Sequence, residues 1–158
     1  MSFYCTRRGA GWRLGIGWAA ATLLGSASAA ATLGGDQASV ANVQARTHAT
    51  MQVTCAGRYT LHELRLGTKT TVREYRANAG KVFAVTWQGP WRPNLRLLLG
   101  SYYQQFVQAA RAQPRARGPV TIRLPGLVVE LGGHQRAFYG RAYLSDAVPA
   151  GLRPEELR

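Results

Sequence analysis

Alternating apolar and polar residues predict β-strands in the first half of the chain. The strand-like segments are 51–66, 70–76 and 81–88. Turn-forming residues at 67–68 and 78–80 separate them, so we expect an antiparallel meander. In the last of these segments Phe83, Val85 and Trp87 fall on one face by period-two alternation, and we expect that face in the core.

The next segment has the periodicity of an amphipathic helix, which we predict from Pro93 to Gln113. Pro93 suits the first helical position because its missing N–H is not needed there. One face of this helix is apolar and consists of Leu95, Leu98, Leu99, Tyr102, Phe106 and Ala109. The opposite face is polar and consists of Arg96, Gln104, Gln105, Gln108 and Arg111.

The last third of the chain returns to strand-like patterns at 120–124 and 127–131. Gly132-Gly133 predicts a two-residue hairpin turn, because both glycines can take the positive φ that such a turn requires. Leu131 would then oppose His134. In that register His134, Arg136 and Phe138 share the face of Leu131 and Val129, whereas Tyr139, Arg141 and Tyr143 share the other face of the last strand.

These elements predict one α+β domain over 30–158, with an antiparallel sheet of about five strands and one amphipathic helix across it. The sheet would consist of the meander followed by the C-terminal hairpin. Residues 30–50 are polar and alanine-rich, and form either a short helix or a loose N-terminal arm. We expect 146–158, with its two prolines, to be a surface tail.

The first 29 residues have the pattern of a secretory signal peptide. Arg7, Arg8 and Arg13 give a positive start, 14–24 is apolar and uncharged, and Ala27-Ser28-Ala29 is a small-residue cleavage site. The apolar run is too short to span a bilayer, and no later stretch approaches the roughly 20 apolar residues required. We therefore expect a periplasmic or secreted protein with no transmembrane segment.

The formal net charge is +13, and cleavage would leave 17 basic against 7 acidic residues. A basic protein is attracted to anionic surfaces such as lipid headgroups, acidic polysaccharide or nucleic acid, and its charge also keeps it soluble. The basic residues are spread along the chain and cluster only at Arg111, Arg115 and Arg117, so we expect no specific recognition of nucleic acid.

Few residues in this chain are candidates for metal or nucleophilic chemistry. His62 and Glu63 are adjacent on a predicted strand and point to opposite faces, so they cannot hold one ion together, although His62 with His134 across the sheet stays open. We expect no metal and no cofactor. Cleavage would remove Cys5 and leave Cys55, which could pair with either histidine, but a lone cysteine in a strand is typically a small buried hydrophobe.

The acidic residues contain no matched pair that would suit glycoside cleavage. They are Asp36, Glu63, Glu74, Glu130, Asp146, Glu155 and Glu156. We expect Glu63 and Glu74 to pair on the sheet surface with the nearby arginines, which are Arg65, Arg73 and Arg76.

Several blocks of the sequence resemble an exported proteobacterial family catalogued as domain of unknown function 2844. They are YTLHEL at 59–64, VREY at 72–75, GKVFAV at 80–85, LLGSYY at 98–103 and GGHQRAFYGRAYL at 132–144. The resemblance covers most of the chain between Leu33 and Gly151. It implies an exported protein and supplies no catalytic residues.

The aromatic and basic residues provide the best candidate surface for function. We place a binding site at His134, Arg136, Tyr139, Arg141 and Tyr143, where aromatic rings and cations could stack and clamp a polyanion or a sugar chain. The sequence thus favours a non-enzymatic accessory or binding module of the cell envelope, with a partner protein or an anionic polymer as ligand. The alternatives are a small envelope hydrolase that uses His62 or His134, and an assembly or structural factor for a secreted complex.

Overall fold

A single antiparallel sheet organises the computed structural model, which describes residues 32–113 and 118–157. Its strands are β1 (Thr50–Cys55), β2 (Tyr59–Arg65), β3 (Thr71–Ala77), β4 (Val82–Gly89), β5 (Val120–Leu124), β6 (Leu127–His134) and β7 (Ala137–Tyr143). These seven strands lie in the order β1-β2-β3-β4-β7-β6-β5. The α+β class and the antiparallel sheet are confirmed, but the sheet has more strands than we predicted.

The segment 51–66, predicted as one strand, accounts for part of this difference because it is a hairpin. The chain reverses at 56–58, where the backbone N–H of Ala56 donates to the carbonyl of Tyr59 at 2.9 Å. β1 is an edge strand, and all but one of its residues are exposed. Cys55 is therefore an exposed thiol, and the expectation of a buried one was wrong.

Three helices cover one face of the sheet: α1 (Gln37–Thr47), α2 (Leu95–Leu99) and α3 (Tyr103–Ala112). The sequence was compatible with either a short helix or a loose arm over 30–50, and α1 lies within this segment. Its N-cap is Asp36, whose carboxylate accepts from the backbone N–H of Ser39 at 3.1 Å. Val40 and Val43 are buried beneath it.

The predicted helix from Pro93 to Gln113 is divided at Gly100, whose φ of 51° and ψ of −119° are not helical. A 3₁₀ turn over Gly100–Tyr102 joins α2 to α3. Helix α2 begins after the N-cap Asn94, so Pro93 precedes the cap and does not occupy the first helical position. The predicted apolar and polar faces are correct, since all five polar positions are exposed and the six apolar positions pack on the sheet.

The main core lies between these helices and the sheet, on what we call the helix side. Val82, Val85 and Trp87 of the central strand β4 contribute to it. Phe83, predicted on the same face, packs on the opposite side instead. Tyr75 pairs with Ala84 and Arg76 pairs with Val82, so Phe83 is an extra residue at a bulge that interrupts the alternation.

The other face of the sheet, which we call the open side, is half covered by the C-terminal segment. A second apolar cluster lies there and consists of Tyr75, Phe83, Ala84, Val128, Tyr143 and Leu157. Two 3₁₀ turns, Ser145–Ala147 and Pro154–Glu156, position the segment above it. Leu157 is 4% exposed, so the predicted surface tail ends in a buried anchor.

The β6–β7 hairpin turns at Gln135-Arg136, where His134 pairs with Ala137. The predicted turn at Gly132-Gly133 and the pairing of Leu131 with His134 were therefore wrong. Leu131 pairs with Gly140. Because β6 continues through His134, this residue belongs to the same face of β6 as Glu130 and not to that of Leu131.

In the described part of the chain no helix is long and apolar enough to cross a membrane. The predicted signal peptide, 1–29, lies outside the described residues, as do Arg115 and Arg117 of the predicted basic loop.

Candidate functional site

A continuous row of polar side chains crosses all seven strands on the open side. The strand register places these residues directly opposite one another, in the order Gln52, Glu63, Arg73, Thr86, Arg141, Glu130 and Thr121. We call this set the polar row. It lies beside the second apolar cluster.

Ion pairs occupy both halves of the polar row. Glu63 accepts from Nε of Arg73 at 2.8 Å and from Nε of Arg65 at 3.1 Å. Burial opposes ionisation of Glu63, but the hydrogen bonds from the two arginines outweigh it and lower the pKa of this carboxyl. The predicted pairing of Glu63 with neighbouring arginines is confirmed.

Arg141 forms the ion pair in the other half of the polar row and also contacts the C-terminal segment. Its Nε donates to Glu130 at 2.7 Å and its Nη1 donates to the carbonyl of Pro154 at 3.0 Å. The side chain is 21% exposed. Arg141 is therefore a half-buried structural contact as well as a candidate binding residue.

A pocket of about 390 Å³ opens above the centre of the polar row, and we call it the row pocket. Its lining consists of Arg73, Thr86, Trp87, Gln88, Glu130, Tyr139, Gly140, Arg141, Glu155 and Leu157. Two arginines and two glutamates thus contribute opposite charges. The Oγ1 atom of Thr86 is buried and forms no hydrogen bond with any described residue.

A second pocket, of about 380 Å³, lies at the end of the β6–β7 hairpin, and we call it the end pocket. Its lining consists of Gln88, Gly89, Pro90, Gly133, His134, Arg136, Ala137, Phe138 and Tyr139, with no acidic residue among them. The guanidinium of Arg92 lies 4.8 Å from the ring centroid of Phe138, within cation–π distance. Trp91, which follows Pro90, is 62% exposed.

Tyr139 separates the two pockets and lines both, together with its cross-strand partner Gln88. Its ring lies over Gly132, where a Cβ atom would overlap the ring carbons. The glycine thus permits the close approach of an aromatic ring that is itself 50% exposed. The ring forms a wall that a ligand in either pocket would touch.

Residues 29–157 match the family described as Protein of unknown function (DUF2844). The chain belongs to this family. No curated protein and no solved structure matches the chain. All residues that line the two pockets lie within the DUF2844 match.

The structure distributes the predicted site residues of this DUF2844 member between three environments. His134, Arg136 and Tyr139 line the end pocket, and Tyr139 and Arg141 line the row pocket. Tyr143 is 8% exposed and packs in the second apolar cluster, so it faces neither pocket.

Sequence reasoning missed the other polar residues of the row pocket, which are Arg73, Thr86, Gln88, Glu130 and Glu155. They come from four separate segments: the strand register brings together those on β3, β4 and β6, and the fold of the C-terminal segment adds Glu155. A sequence signal for the polar row was the placement of charged residues at alternate positions of a predicted strand, as at Glu63 and Arg65.

A buried pair of ionisable side chains lies on the helix side. His62 and Glu74 are opposite each other on β2 and β3, are 3% and 0% exposed, and make no side-chain hydrogen bond to any described residue. Burial raises the pKa of Glu74 to about 8. Burial and the charge of Arg76 lower the pKa of His62. The predicted surface pairing of Glu74 with an arginine was wrong.

This arrangement bears on the hydrolase alternative. His62 is closed to solvent, and His134 lies on the opposite face four strands away, about 19 Å at the usual strand spacing, so the two cannot cooperate. Glu63 and Glu130 are separated by the same number of strands, well beyond the roughly 5–9.5 Å of glycosidase carboxylates.

Within residues 32–113 and 118–157 no three metal-ligating side chains form a group.

Proposed function

We propose that this DUF2844 member is a non-enzymatic binding protein of the cell envelope, which engages an anionic component through the end pocket. The observation that carries the proposal is the lining of that pocket, where Arg136 and His134 lie beside the half-buried ring of Phe138 and the exposed ring of Tyr139 without an acidic neighbour. The net charge of +13 would add long-range attraction for the same ligand.

The end pocket contains one cation, Arg136, and a second cation, Arg92, contacts the ring of its lining residue Phe138. Among the described residues, no acidic side chain forms an ion pair with Arg136 or Arg92. Exposed guanidinium groups next to aromatic faces suit a ligand that carries both charge and a flat or apolar surface. An acidic patch on a partner protein is the other ligand that this chemistry fits. No serine, cysteine or carboxylate lines the pocket, so hydrolysis gains no support there.

Export is part of the proposal and has a direct test. We expect the chain recovered from the cell envelope fraction to begin between Ala30 and Thr32, because several overlapping small-residue sites fit signal peptidase. Intact-mass spectrometry of the protein expressed in a bacterial host measures this start. A chain that retains Cys5 and stays in the cytoplasmic fraction would refute export.

Replacing Arg136 with glycine should weaken anion binding without loss of stability. Arg136 has φ of 65°, a left-handed conformation that glycine adopts without the penalty of about 1 kcal/mol paid by other residues. The variant should melt at the same temperature as the parent or higher. Its affinity for poly-L-glutamate at low salt should fall about tenfold, as expected for the loss of one hydrogen-bonded charge.

Lys69 provides the matched control, because it is also a cation in the left-handed conformation, with φ of 63°, and lies outside both pockets. Lys69→Gly removes the same charge from a comparable turn and should leave the affinity nearly unchanged. Isothermal titration calorimetry on the two variants distinguishes the alternatives. Equal weakening in both would show that the anion responds to net charge and not to the end pocket.

A further inference from the structure

We infer that the row pocket binds an uncharged sugar ring, so that the anionic component held at the end pocket is an acidic polysaccharide. The inference rests on the proposed function for its anionic part, whereas the sugar site stands on the geometry of the row pocket. The row pocket differs from the end pocket in its charge and in its hydrogen-bond donors and acceptors. It also contains one hydroxyl that has no hydrogen-bond partner among the described residues.

The row pocket offers hydrogen-bond donors and acceptors without a net positive charge. Arg73 and Arg141 each use Nε to hold a carboxylate, and further N–H groups of both guanidiniums remain for a ligand. Glu130 and Glu155 add acceptors to the same lining. Because a sugar hydroxyl both donates and accepts, paired cations and carboxylates can bind neighbouring hydroxyls. A phosphate or carboxylate in this pocket would face two glutamates as well as two arginines, so the lining gives an anion no net electrostatic attraction.

Thr86 lines the row pocket and lies between Arg73 and Arg141 in the polar row. The residue is 4% exposed, and its hydroxyl lacks a partner among the described residues. A buried hydroxyl without a hydrogen bond is unfavourable by about 1–3 kcal/mol. A ligand hydroxyl that reaches this threonine would supply the bond, and this favours a polyhydroxylated ligand over an apolar one.

Tyr139 connects this site to the end pocket. Its half-exposed ring forms a wall of both pockets and offers an apolar face with a polar tip, which suits the C–H face of a pyranose. Each pocket falls within the range of about 300–1,000 Å³ typical of small-ligand sites. Two adjoining sites, one charge-balanced and one cationic, match a chain in which an uncharged sugar is joined to an acidic one.

Three probes separate the two parts of the inference by calorimetric titration. A hyaluronan tetrasaccharide alternates uncharged and acidic sugars, cellobiose is an uncharged sugar, and poly-L-glutamate is an anion without sugar. We expect hyaluronan to bind more tightly than poly-L-glutamate at equal salt concentration, and cellobiose to bind weakly but measurably. Arg136→Gly should weaken binding of both anions and leave cellobiose unaffected.

Thr86→Val tests the row pocket with little change of volume. It removes an unsatisfied hydroxyl, so thermal stability should be retained or increased, while binding of hyaluronan and cellobiose should weaken about tenfold. Binding of poly-L-glutamate should not change. Tyr139→Ala, at an exposed position, should weaken all three interactions and provides a second variant if Thr86→Val is poorly folded.

The outcomes distinguish the two proposals. If hyaluronan and poly-L-glutamate bind equally and Thr86→Val alters neither, the sugar site is refuted and anion binding stands. If cellobiose binds in a Thr86-dependent manner and neither anion binds, the sugar site stands, and both the acidic polysaccharide and the proposed function are refuted. If no probe binds, both proposals are refuted.

Discussion

Gly133→Val is expected to destabilise the protein by about 4 kcal/mol or more and to abolish binding at the end pocket. Gly133 has φ of 105°, a conformation that side chains with a Cβ rarely adopt. A Cβ atom at this position would also overlap the carbonyl oxygen of Ala137 and approach the Cα of Phe138. The variant must therefore separate β6 from β7 at the hairpin end that forms the pocket. Urea denaturation gives the free energy of unfolding.

Gly80→Val is the matched control for this prediction. Gly80 has a similar φ of 96°, but no atom lies within 4 Å of a Cβ added there. Its replacement should introduce backbone strain alone, of about 1–3 kcal/mol. The difference between the two variants measures the overlap with β7. If Gly133→Val is no more destabilising than Gly80→Val, the hairpin relaxes around the new side chain and is less rigid than the pairing implies.

The same glycines show why the hairpin register was mispredicted. Two consecutive glycines are a strong local signal for a tight turn, yet Gly132 and Gly133 serve close contacts between strands. One lies under the ring of Tyr139, and the other lies against the backbone of β7. The turn itself uses Arg136 in a left-handed conformation, for which arginine carries no sequence signal. A local pattern cannot distinguish these two uses of glycine.

Local periodicity did predict the features that depend on nearby residues. The apolar face of α2 and α3, with Leu98, Leu99 and Phe106 buried, follows from helical spacing. The opposite orientation of His62 and Glu63 follows from strand alternation. These predictions are correct because each needs only the sequence within one element.

The polar row could not be predicted in this way, because it depends on six strand pairings. These pairings align residues that are far apart in the sequence, such as Gln52 and Arg141. The bulge that moves Phe83 to the open side adds a further nonlocal effect. Glu74 is the clearest example. Its residue type suggests a surface position, whereas its place on the helix side of a central part of the sheet buries it completely.

The burial of Glu74 leads to the second large effect, a loss of stability as the pH rises from 4.5 towards 8. The unfolded chain releases the proton of this carboxyl near its ordinary pKa of 4.5, whereas the folded chain retains it up to the raised pKa of about 8. Its contribution is therefore complete below pH 4.5 and declines by up to about 1.4 kcal/mol per pH unit until pH 8.

His62 acts in the opposite direction over a different range. Its lowered pKa keeps the imidazole neutral in the folded chain, so its contribution is complete above the ordinary pKa of 6.5 and is lost as the pH falls below that value. Between pH 4.5 and 6.5 the two effects oppose each other. Above pH 6.5 the effect of Glu74 remains, and this is the range in which it should be measured.

Urea denaturation at pH 6.5, 7, 7.5 and 8 tests the assignment with Glu74→Gln, which has nearly the same shape and no charge. The parent should lose stability across this range, and the variant should not, so that the variant is the more stable of the two at pH 8. Glu63→Gln is the control, because its ion-paired carboxyl has a lowered pKa and stabilises the fold above pH 4.5. That variant should be less stable than the parent but keep the same decline above pH 6.5. If the stability of the parent is constant between pH 6.5 and 8, the Glu74 carboxylate is ionised in the folded protein and is accessible to solvent or a counter-charge.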